Sequence, residues 1–511
     1  MTPLRSAIVA GMSVVVLSAG GVWALGAGAA TAPVDERRAR RRTPEVELFE
    51  KCAPSVVTFT ASRVEKRSKA RGGNITHTER GSGFVIHPDG YFLSVAHGLR
   101  KGGRLRARFH DGTTGPVRVI ARDNGRDLSL LKVDAPRPLV PMKLAHSADL
   151  MVGEKAFVLG NPFGFGLSLG AGLITGLGRN TNTGFSELRG MIQTDAGVNP
   201  GISGGPLVNI FGEVIGVGTS RKAEGDGVGF ATAIDAVRSA LPGMIDAEGR
   251  YGFVLGMTVD ANDVAAVTAV VPGSPAAAAG VRAGDVVVGI GGKPLAGGVD
   301  FHLALVGRKG GEKLPLKLRR GGKTTTLAVT LGTVEPLVPA RPGELVAGLD
   351  YAAYHGHWRR LPDVRRLKPA AAGTMATFAL GRYAGKDNFA LRIAGYLDVR
   401  ADGIYAFYLA SDDGSRLYVG ERLVVDHDGL HGAVEKRGFV PLKAGKHAIR
   451  VECFEAGGDE ALEVLYQGPK VRKQAIPAKV LFRPKPPTTR KAPRTKPAAT
   501  APASAPAKSA P

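Results

Sequence analysis

Short apolar runs separated by glycine-rich turns dominate the chain. Runs of Val, Ile, Leu and Thr of strand length recur along it, and the sequence contains 71 glycines. Long amphipathic patterns with helical spacing are few. Because strand-length apolar runs bounded by turn residues are typical of β-structure, this pattern predicts a mainly β protein. A chain of 511 residues is too long for one hydrophobic core, so we expect about three domains.

The start of the chain breaks this pattern. An apolar run over residues 7–32 precedes five arginines within residues 37–42. Such a run is typical of an export signal or a membrane anchor, so residues 1–43 are predicted to be a signal peptide or anchor followed by an Arg-rich linker. We therefore expect an exported protein of the periplasm or cell envelope. The arginines leave the orientation open, because basic residues tend to stay cytoplasmic.

The end of the chain is basic and has no acidic residue. Residues 483–511 consist mainly of Pro, Ala, Thr, Lys and Arg, and they contribute to a net charge of +23. This composition cannot bury a core and predicts a disordered tail. Basic tails can bind nucleic acid, anionic lipid or acidic polymers. No nucleic-acid-binding motif accompanies this one, so we favour a solvated tail and do not expect a nucleic-acid partner.

The cysteine content argues against a disulfide framework. The two cysteines, Cys52 and Cys453, fall in different predicted domains. We interpret them as buried thiols that pack as small apolar residues. No cysteine spacing typical of a metal site is present in the sequence.

Three motifs together predict a serine protease. A serine hydroxyl is a poor nucleophile at neutral pH, and it needs a histidine to take its proton and a carboxylate to orient that histidine. His97, Asp127 and Ser203 supply these groups in the chain order of chymotrypsin-type enzymes. The motifs are Ser94-Val95-Ala96-His97, Arg126-Asp127-Leu128-Ser129-Leu130 and Asn199-Pro200-Gly201-Ile202-Ser203-Gly204-Gly205-Pro206.

The glycines around Ser203 predict an oxyanion hole. The tetrahedral intermediate of acyl transfer carries an oxyanion that backbone N–H groups stabilise. Gly201 can adopt the backbone angles that turn its N–H toward this oxyanion. We therefore predict that the N–H groups of Gly201 and Ser203 form the oxyanion hole.

An α/β-hydrolase is the competing interpretation of this serine. The pattern Gly-x-Ser-x-Gly is weak, and it also occurs at residues 166–170, which we interpret as a turn. A hydrolase would place its serine between a strand and a helix, with Asp and His downstream. Here a strand-like run, residues 206–210, follows Ser203. The sequence therefore favours the protease.

Residues 45–335 resemble the HtrA family of bacterial proteases. The matching segments are Gly81-Ser82-Gly83-Phe84-Val85-Ile86, Gly160-Asn161-Pro162-Phe163-Gly164, Ile192-Gln193-Thr194-Asp195-Ala196 and Gly227-Val228-Gly229-Phe230-Ala231. The resemblance implies a chymotrypsin-like double β-barrel over residues 44–246, cleavage of unfolded or misfolded polypeptide without a cofactor, and assembly as a homotrimer.

Two features differ from the family or refine its specificity. The family usually has Asn before the nucleophile, where this chain has Ile202, and the residues beside the histidine also differ, at Ala96 and Gly98. None of these changes removes a catalytic group. In trypsin-like folds, the residue six before the serine lies at the base of the primary pocket. Gly197, beside Ala196, takes that place and lacks a carboxylate, which predicts an apolar substrate side chain.

Residues 250–335 resemble a PDZ domain of the HtrA type, which has an α+β fold. The segment Phe253-Val254-Leu255-Gly256-Met257 resembles the loop that binds a peptide's C-terminal carboxylate. Backbone N–H groups would hold the carboxylate while an exposed strand pairs with the peptide. The predicted binding residues are Val254, Leu255, Gly256 and Met257. A domain that does not bind peptides is the alternative.

Residues 345–482 resemble the protective-antigen-type β-sandwich that also occurs in glycosidases and yeast flocculation lectins. The matching segments include Gly403-Ile404-Tyr405-Ala406-Phe407-Tyr408 and Ser411-Asp412-Asp413-Gly414-Ser415. In the sugar-binding members an adjacent Asp pair holds Ca²⁺, which implies a Ca²⁺ site at Asp412 and Asp413 and a glycan or cell-surface polymer as partner. A plain hairpin turn is an equally open interpretation. His427 and His431 are interpreted as surface-loop residues.

Two functions of different classes remain at this point. The first is an exported HtrA-type serine endopeptidase with a PDZ domain and a C-terminal glycan- or surface-binding sandwich. The second is a surface adhesin or chaperone-like protein that binds without proteolysis. The intact His-Asp-Ser set favours the endopeptidase.

Overall fold

The computed structural model describes residues 34–65, 75–99, 104–182, 187–221, 227–458 and 460–486. The predicted apolar run and most of the predicted basic tail lie outside these residues. Within them, no helix combines the length and apolar character needed to cross a membrane. Two short helices, α1 (Val34–Ala39) and α2 (Pro44–Cys52), come first in the chain. The described residues from Leu48 onward form one compact unit.

Twelve strands among the described residues form two closed barrels. The strand orders are β1-β2-β3-β6-β5-β4 and β10-β11-β12-β9-β8-β7, and every pairing is antiparallel. Strands β1–β6 are Val56–Glu65, Ile75–His87, Tyr91–Val95, Arg104–Arg108, Thr114–Asp123 and Leu128–Val133. Strands β7–β12 are Lys155–Gly160, Ser168–Asn182, Glu187–Thr194, Pro206–Val208, Val214–Arg221 and Gly229–Ala233. The predicted chymotrypsin-like double barrel is confirmed.

Alternating apolar side chains fill each barrel. The first barrel packs Val57, Phe59, Val85 and Phe92 inside, and the second packs Val158, Ile192 and Leu207. Strand β3 is buried along its whole length. The strands that lead into the sequence motifs are therefore held rigidly by the cores.

The next segment begins with two helices, α3 (Ile234–Ile245) and α4 (Ala247–Tyr251), and continues into the PDZ fold. A four-stranded sheet of order β17-β16-β18-β19 and two two-stranded sheets, β13-β20 and β14-β15, pack around α5 (Pro275–Ala278) and α6 (Gly298–Ala304). Strands β13–β20 are Phe253–Val254, Met257–Val259, Val267–Val270, Val286–Ile290, Lys293–Pro294, Lys313–Arg320, Lys323–Thr330 and Gly332–Thr333.

The last folded segment is a β-sandwich, as predicted. One sheet has eight strands, β21–β24, β26, β27, β29 and β32, and the other has the order β28-β25-β30-β31. Strands β21–β32 are Leu345–Ala347, Leu349–His355, Ala371–Met375, Phe389–Val399, Gly403–Asp412, Ser415–Val419, Arg422–His427, Val434–Leu442, Gly445–Glu455, Ala461–Gly468, Val471–Ala475 and Leu481–Pro484. Fully buried side chains such as Leu391, Phe407 and Val451 form its core.

Two predictions about this segment need comment. Strand β32 extends into the predicted tail, because Arg483 and Pro484 pair with Val346 and Leu345 across an antiparallel ladder. The tail therefore begins later than the composition predicts. The two cysteines are free and buried, as interpreted from the sequence.

Two arginines join the three folded segments. Arg238 in α3 donates to the carbonyl of Ala261 at 3.0 Å and to the carboxylate of Asp263 at 2.6 Å, both in the PDZ segment. Arg437 in β28 of the sandwich donates to the carbonyls of Ile120 and Met244 at 3.1 and 2.6 Å. Burial lowers the pKa of Arg437 to about 10. Each arginine therefore ties its own segment to polar groups of another by direct hydrogen bonds.

Candidate active site

The predicted His97 and Asp127 are hydrogen-bonded to each other. His97 begins a short 3₁₀ turn directly after β3, and Asp127 directly precedes β6, the strand that pairs with β3. His97 Nδ1 lies 2.7 Å from Asp127 Oδ2. The N–H groups of Ala96 and His97 donate to Asp127 Oδ1 at 3.1 and 2.9 Å. Asp127 is 3 % exposed, so these donors replace the water that a charged carboxylate would otherwise need.

A further partner of Asp127 was missed in the sequence. The hydroxyl of Thr219 donates to Asp127 Oδ2, across a separation of 92 residues. Thr219 lies in β11 of the second barrel and is 1 % exposed. With this bond, donors from both barrels fix the orientation of the carboxylate. Asp127 itself has a φ of 54°, an unfavourable angle for a residue with a side chain, which the four donors hold in place.

Ser203 lies at the junction of the two barrels, in the turn before β10. Its carbonyl accepts from the N–H of Ser82 in β2 at 3.0 Å, and the next residue, Gly204, donates to the carbonyl of Gly218 at 2.6 Å. Gly218 directly precedes Thr219, so one strand, β11, supports both the nucleophile and the Asp127 carboxylate. Within the described part of the chain, the Ser203 hydroxyl makes no hydrogen bond. Catalytic hydrogen bonds are often long without substrate and tighten when it binds.

Gly201 has the backbone conformation that the sequence predicts for an oxyanion hole. Its φ is 96°, and a side chain there would collide with the carbonyl oxygen of Asn161. Neither the N–H of Gly201 nor that of Ser203 donates to an acceptor among the described residues. Both groups therefore remain available to an anionic oxygen next to the Ser203 hydroxyl.

The predicted pocket residues lie just upstream. Ala196 is buried, and Gly197 follows it with open space on the side where a side chain would project. The sequence analysis did not single out Val198, whose side chain is 3 % exposed. A Cβ built on Gly229 would lie 2.7 Å from Val198 Cγ2, so Val198 faces β12 at close range. The residue that follows Gly197 therefore presents an apolar side chain toward β12.

The second Gly-x-Ser-x-Gly match is part of a strand rather than a turn. Ser168 begins β8, and its hydroxyl donates back to the carbonyl of Gly166. A side chain at Gly170 would collide with the carbonyl of Ala196, so the glycine lets β8 pack directly against the backbone before the nucleophile. Gly170 therefore serves packing, whereas Gly166, just before the strand, has a φ of 118° and open space where a side chain would project.

The predicted carboxylate-binding loop already holds a carboxylate of this chain. The N–H of Leu255 donates to Glu248 Oε2 at 3.1 Å, and Glu248 belongs to α4. Burial raises the pKa of Glu248, while the N–H groups of Leu255 and Gly256 oppose that shift. At the other end of β14, His302 Nε2 lies 2.8 Å from the carbonyl oxygen of Val259. A cavity of about 650 Å³ separates β14 from α6, α3 and α4.

The sandwich brings three carboxylates together. Asp412 and Asp413 meet Glu455, which the sequence analysis missed, and their oxygens lie within 4.8 Å of one another. The oxygens of Asp413 accept from the N–H groups of His431 and Ala456 at 3.1 and 3.0 Å. Glu455 is 1 % exposed, and its Oε2 has no hydrogen-bond partner. Burial and the two aspartates raise the pKa of Glu455.

The interpretation of His427 as a surface residue is wrong. Its side chain is 4 % exposed and stacks on His431, with ring centroids 3.6 Å apart. Burial and His431 lower its pKa to about 4, so the ring is neutral at neutral pH. Because β27 ends at His427 and alternates its side chains between core and solvent, the ring falls on the buried face.

Comparison with known protein families finds three domains in the order that the sequence predicts. A trypsin-like peptidase domain matches residues 81–217, a PDZ domain matches residues 253–331 and a PA14 domain matches residues 379–479. Each match lies inside the segment predicted for that domain. The PA14 domain is the protective-antigen-type sandwich.

Curated relatives are proteases. Protease Do-like 1 of the Arabidopsis thaliana chloroplast is 32% identical over 315 residues, which cover 56% of this chain and 71% of that protein. The periplasmic pH-dependent serine endoprotease DegQ of Escherichia coli is 33% identical over 287 residues, covering 52% and 63%. A solved structure of the HtrA-type protease AlgW with a decapeptide is 23% identical, has a TM-score of 0.37 and covers 58% of this chain and all of that one.

These relatives decide between the two functions that the sequence left open. They are named as proteases, the peptidase and PDZ domains occur together in this chain, and a non-proteolytic adhesin is not favoured. The bacterial relative is matched over less than two thirds of its length, whereas the chloroplast relative is matched over more. The chain belongs to the HtrA family of serine endopeptidases.

Proposed function

We propose that His97, Asp127 and Ser203 are the catalytic residues of this peptidase and that Gly201 and Ser203 supply the oxyanion hole. The observation that carries the proposal is the 2.7 Å bond between His97 Nδ1 and Asp127 Oδ2. That bond keeps the proton on Nδ1, so Nε2 is the nitrogen that can accept a proton. The unbonded N–H groups beside the Ser203 hydroxyl support the second part of the proposal.

The reaction follows from these positions. The Ser203 hydroxyl oxygen attacks the scissile carbonyl carbon while His97 takes its proton, and the resulting oxyanion accepts from the N–H groups of Gly201 and Ser203. His97 then gives the proton to the departing amine, which leaves an acyl ester on Ser203. Water deprotonated by His97 hydrolyses the ester and restores the hydroxyl. Asp127 stabilises the imidazolium in both halves, and no cofactor takes part.

Replacing Ser203 by alanine tests this assignment. Ser203→Ala removes one hydroxyl group from a turn that is held by backbone hydrogen bonds, so the protein should still fold. Cleavage of unfolded casein should be lost. Ser168→Ala, in the second Gly-x-Ser-x-Gly match, is the control and should cleave casein like the wild type. If Ser203→Ala kept full activity, the assignment would be wrong.

We propose unfolded polypeptides with small aliphatic side chains before the cleaved bond as substrates. Gly197 provides no carboxylate at the pocket base, and Val198 supplies an apolar wall. Trypsin-like preference for Arg or Lys needs a carboxylate there. A peptide library should therefore show cleavage after Val or Ala, and preferred cleavage after Arg or Lys would contradict the proposal.

For the PDZ domain we propose binding of free, apolar peptide C-termini at residues 254–257. The N–H of Leu255 already donates to a carboxylate, which supports an anion-binding role for this loop. The same contact means that a peptide must displace Glu248. The proposed ligand is therefore a competitor of an internal carboxylate, and its affinity is reduced by that competition.

For the sandwich we propose a Ca²⁺ site formed by Asp412, Asp413 and Glu455, with a glycan or cell-surface polymer as its partner. Carboxylate oxygens are the hard ligands that Ca²⁺ prefers. The unpartnered Oε2 of Glu455 is a buried acceptor that a cation would satisfy. The two positive charges of the bound ion would offset most of the negative charge of the three carboxylates, and the ion would attract hydroxyl oxygens.

We also propose that the chain is exported and acts in the periplasm or cell envelope as a homo-oligomer. The apolar run over residues 7–32 supports export, and one relative is named as periplasmic. Whether that run is cleaved or retained decides between a released and an anchored enzyme. The mass of the N-terminal peptide of the purified protein distinguishes the two.

A further inference from the structure

Ser82 bonds to both segments that build the oxyanion hole. It lies in β2 of the first barrel and is fully buried. Its N–H donates to the carbonyl of Ser203 at 3.0 Å, and its hydroxyl donates to the carbonyl of Gly201 at 2.7 Å. The same hydroxyl accepts from the N–H of Asn161 at 3.0 Å. One serine of the first barrel thus contacts three residues of the second.

The bond to Gly201 restrains a residue with an intrinsically free backbone, and it acts beside the 2.9 Å bond from the Ile202 N–H to the Asn199 carbonyl in the same peptide plane. Gly201 lacks a Cβ and has a φ of 96°, so its two flanking peptide planes could rotate at little steric cost. The plane after it carries the Gly201 carbonyl, which the Ser82 hydroxyl holds. That bond restricts ψ of Gly201.

The plane before Gly201 is held through a short relay. This plane carries the Gly201 N–H on one side and the Pro200 carbonyl on the other. The Pro200 carbonyl accepts from the N–H of Phe163 at 2.9 Å. Phe163 lies in the turn that starts at Asn161, and the Asn161 N–H is bonded to the Ser82 hydroxyl. The Ser82 hydroxyl therefore supports both sides of Gly201, directly at its carbonyl and indirectly through the turn that starts at Asn161.

We propose that Ser82 is a positioning residue that keeps the Gly201 N–H directed at the oxyanion. This role rests on the proposed assignment of Ser203 and Gly201. Ser82 does not touch the substrate. It acts by preventing rotation of the two peptide planes, so its effect appears where the oxyanion is present, in the transition state, and not in the binding of the uncharged substrate.

Ser82→Ala removes both hydroxyl bonds and leaves the backbone bond to Ser203. We expect kcat to fall roughly tenfold to a hundredfold, within the range for a weakened oxyanion donor, with KM nearly unchanged. A peptidyl boronic acid, whose tetrahedral adduct places an oxygen in the oxyanion hole, should lose affinity by the same factor. The pH dependence of kcat/KM should not move, because His97 and Asp127 are untouched.

Ser147→Ala is the matched control. The Ser147 hydroxyl also donates one bond, to Asp235 Oδ2 at 2.9 Å, and accepts one, from the Asp235 N–H at 3.1 Å. Ser147 lies in the same domain, between β6 and β7, and its partner Asp235 is at the start of α3. Its loss should lower the melting temperature without changing kcat or boronate affinity.

Ser82→Cys covers the case in which the alanine variant does not fold. A thiol fills the space but donates and accepts weakly, so kcat and boronate affinity should both fall below the wild-type values by a similar factor. Wild-type kcat and boronate affinity in a folded Ser82 variant would overturn the proposal. So would a parallel loss in Ser147→Ala. Ser203→Ala, measured alongside, tests the assignment of the nucleophile separately. Full activity of Ser203→Ala would contradict that assignment, whereas a wild-type Ser82 variant would contradict only the role of Ser82.

Discussion

Two turns in this protein present backbone N–H groups to an anion, and they differ in whether the chain already supplies one. In the protease domain, the N–H groups of Gly201 and Ser203 have no acceptor among the described residues. In the PDZ domain, the N–H of Leu255 donates to Glu248. Both turns depend on a glycine with positive φ, 96° at Gly201 and 75° at Gly256. The glycine motif determines the geometry of such a site but not its occupant.

The occupant of the PDZ loop comes from the arrangement of the domains. Glu248 lies on α4, which contacts both the PDZ strand β13 and the sandwich strands β25 and β28. Arg437 of the sandwich donates to the carbonyl of Met244 shortly before α4. The helix that carries the competing carboxylate is therefore held by two domains at once. In the described part of the chain, the Ser203 turn bonds instead to the barrel strands β2 and β11 and to the turn that starts at Asn161.

The largest expected effect is the loss of kcat when Asp127 is changed and the oxyanion hole is left intact. Asp127→Asn keeps the size of the side chain but favours the wrong His97 tautomer, so kcat should fall on the order of 10⁴-fold while the hole stays intact. Steady-state cleavage of a peptide substrate measures this. Asp123→Asn, which alters an ion pair with Arg126 at 2.8 Å, is the control and should cleave like the wild type. A loss of less than tenfold in Asp127→Asn would contradict the triad.

The carboxylate cluster of the sandwich is the reverse case, because one buried acceptor in it, Glu455 Oε2, lacks a donor. If Ca²⁺ binds Asp412, Asp413 and Glu455, a hundredfold excess over Kd should stabilise the domain by about 2.7 kcal/mol. Thermal melting of the full chain should then show that the melting temperature of the sandwich domain rises by several degrees. Asp412→Asn with Asp413→Asn, or Glu455→Gln alone, should remove the shift. A melting curve unaffected by Ca²⁺ and by chelator would favour the plain hairpin.

Removing the internal carboxylate tests the PDZ half of the comparison. Glu248→Ala should tighten binding of a peptide with a free apolar C-terminus by about tenfold, because a charge-assisted bond no longer competes. Fluorescence anisotropy of a labelled peptide measures the change. Glu312→Ala, which alters a surface ion pair with Arg308 in the same domain, is the control and should bind like the wild type. No gain in Glu248→Ala, or equal binding of an amidated peptide, would show that this loop does not hold peptide carboxylates.

The pH dependence of the same binding is the smallest effect. Burial raises the pKa of Glu248, so as the pH falls from neutral, Glu248 becomes protonated before the more acidic peptide carboxylate does. The competitor loses its charge first, and peptide affinity should rise in this range. Glu248→Gln removes the titrating group, so its affinity should stay flat. A rise of equal size in both proteins would assign the effect to another group.

The sequence predicted those parts of the sites that lie in short continuous motifs. His97 follows β3, Asp127 precedes β6 and Ser203 precedes β10, each in a recognisable local pattern, and the pairing of β3 with β6 brings His97 to Asp127. Thr219 and Ser82 could not be predicted in the same way. A buried Thr or Ser is common in strands, and only the packing of one barrel against the other shows that these hydroxyls meet Asp127 and Gly201.

The same limit applies to Glu248 and Glu455. Glu248 lies in a short helix between two domains, where acidic residues are ordinary, and its role depends on how the PDZ loop folds back toward α4. Three strands, β26–β28, lie between Asp413 and Glu455 along the chain. The antiparallel pairing of β26 with β29 is needed to bring the two residues together. Residue identity was visible in both cases, but the partner was not.

The most direct test of the central claim is covalent labelling of the full chain with a fluorophosphonate, read by peptide mass spectrometry. Only a serine activated by a base and flanked by open N–H groups should react rapidly with this reagent. We predict one adduct, on Ser203, that a peptidyl boronic acid prevents and that is absent in His97→Ala and Ser203→Ala. Labelling at another serine, or no labelling of the wild type under conditions where casein is cleaved, would contradict the account.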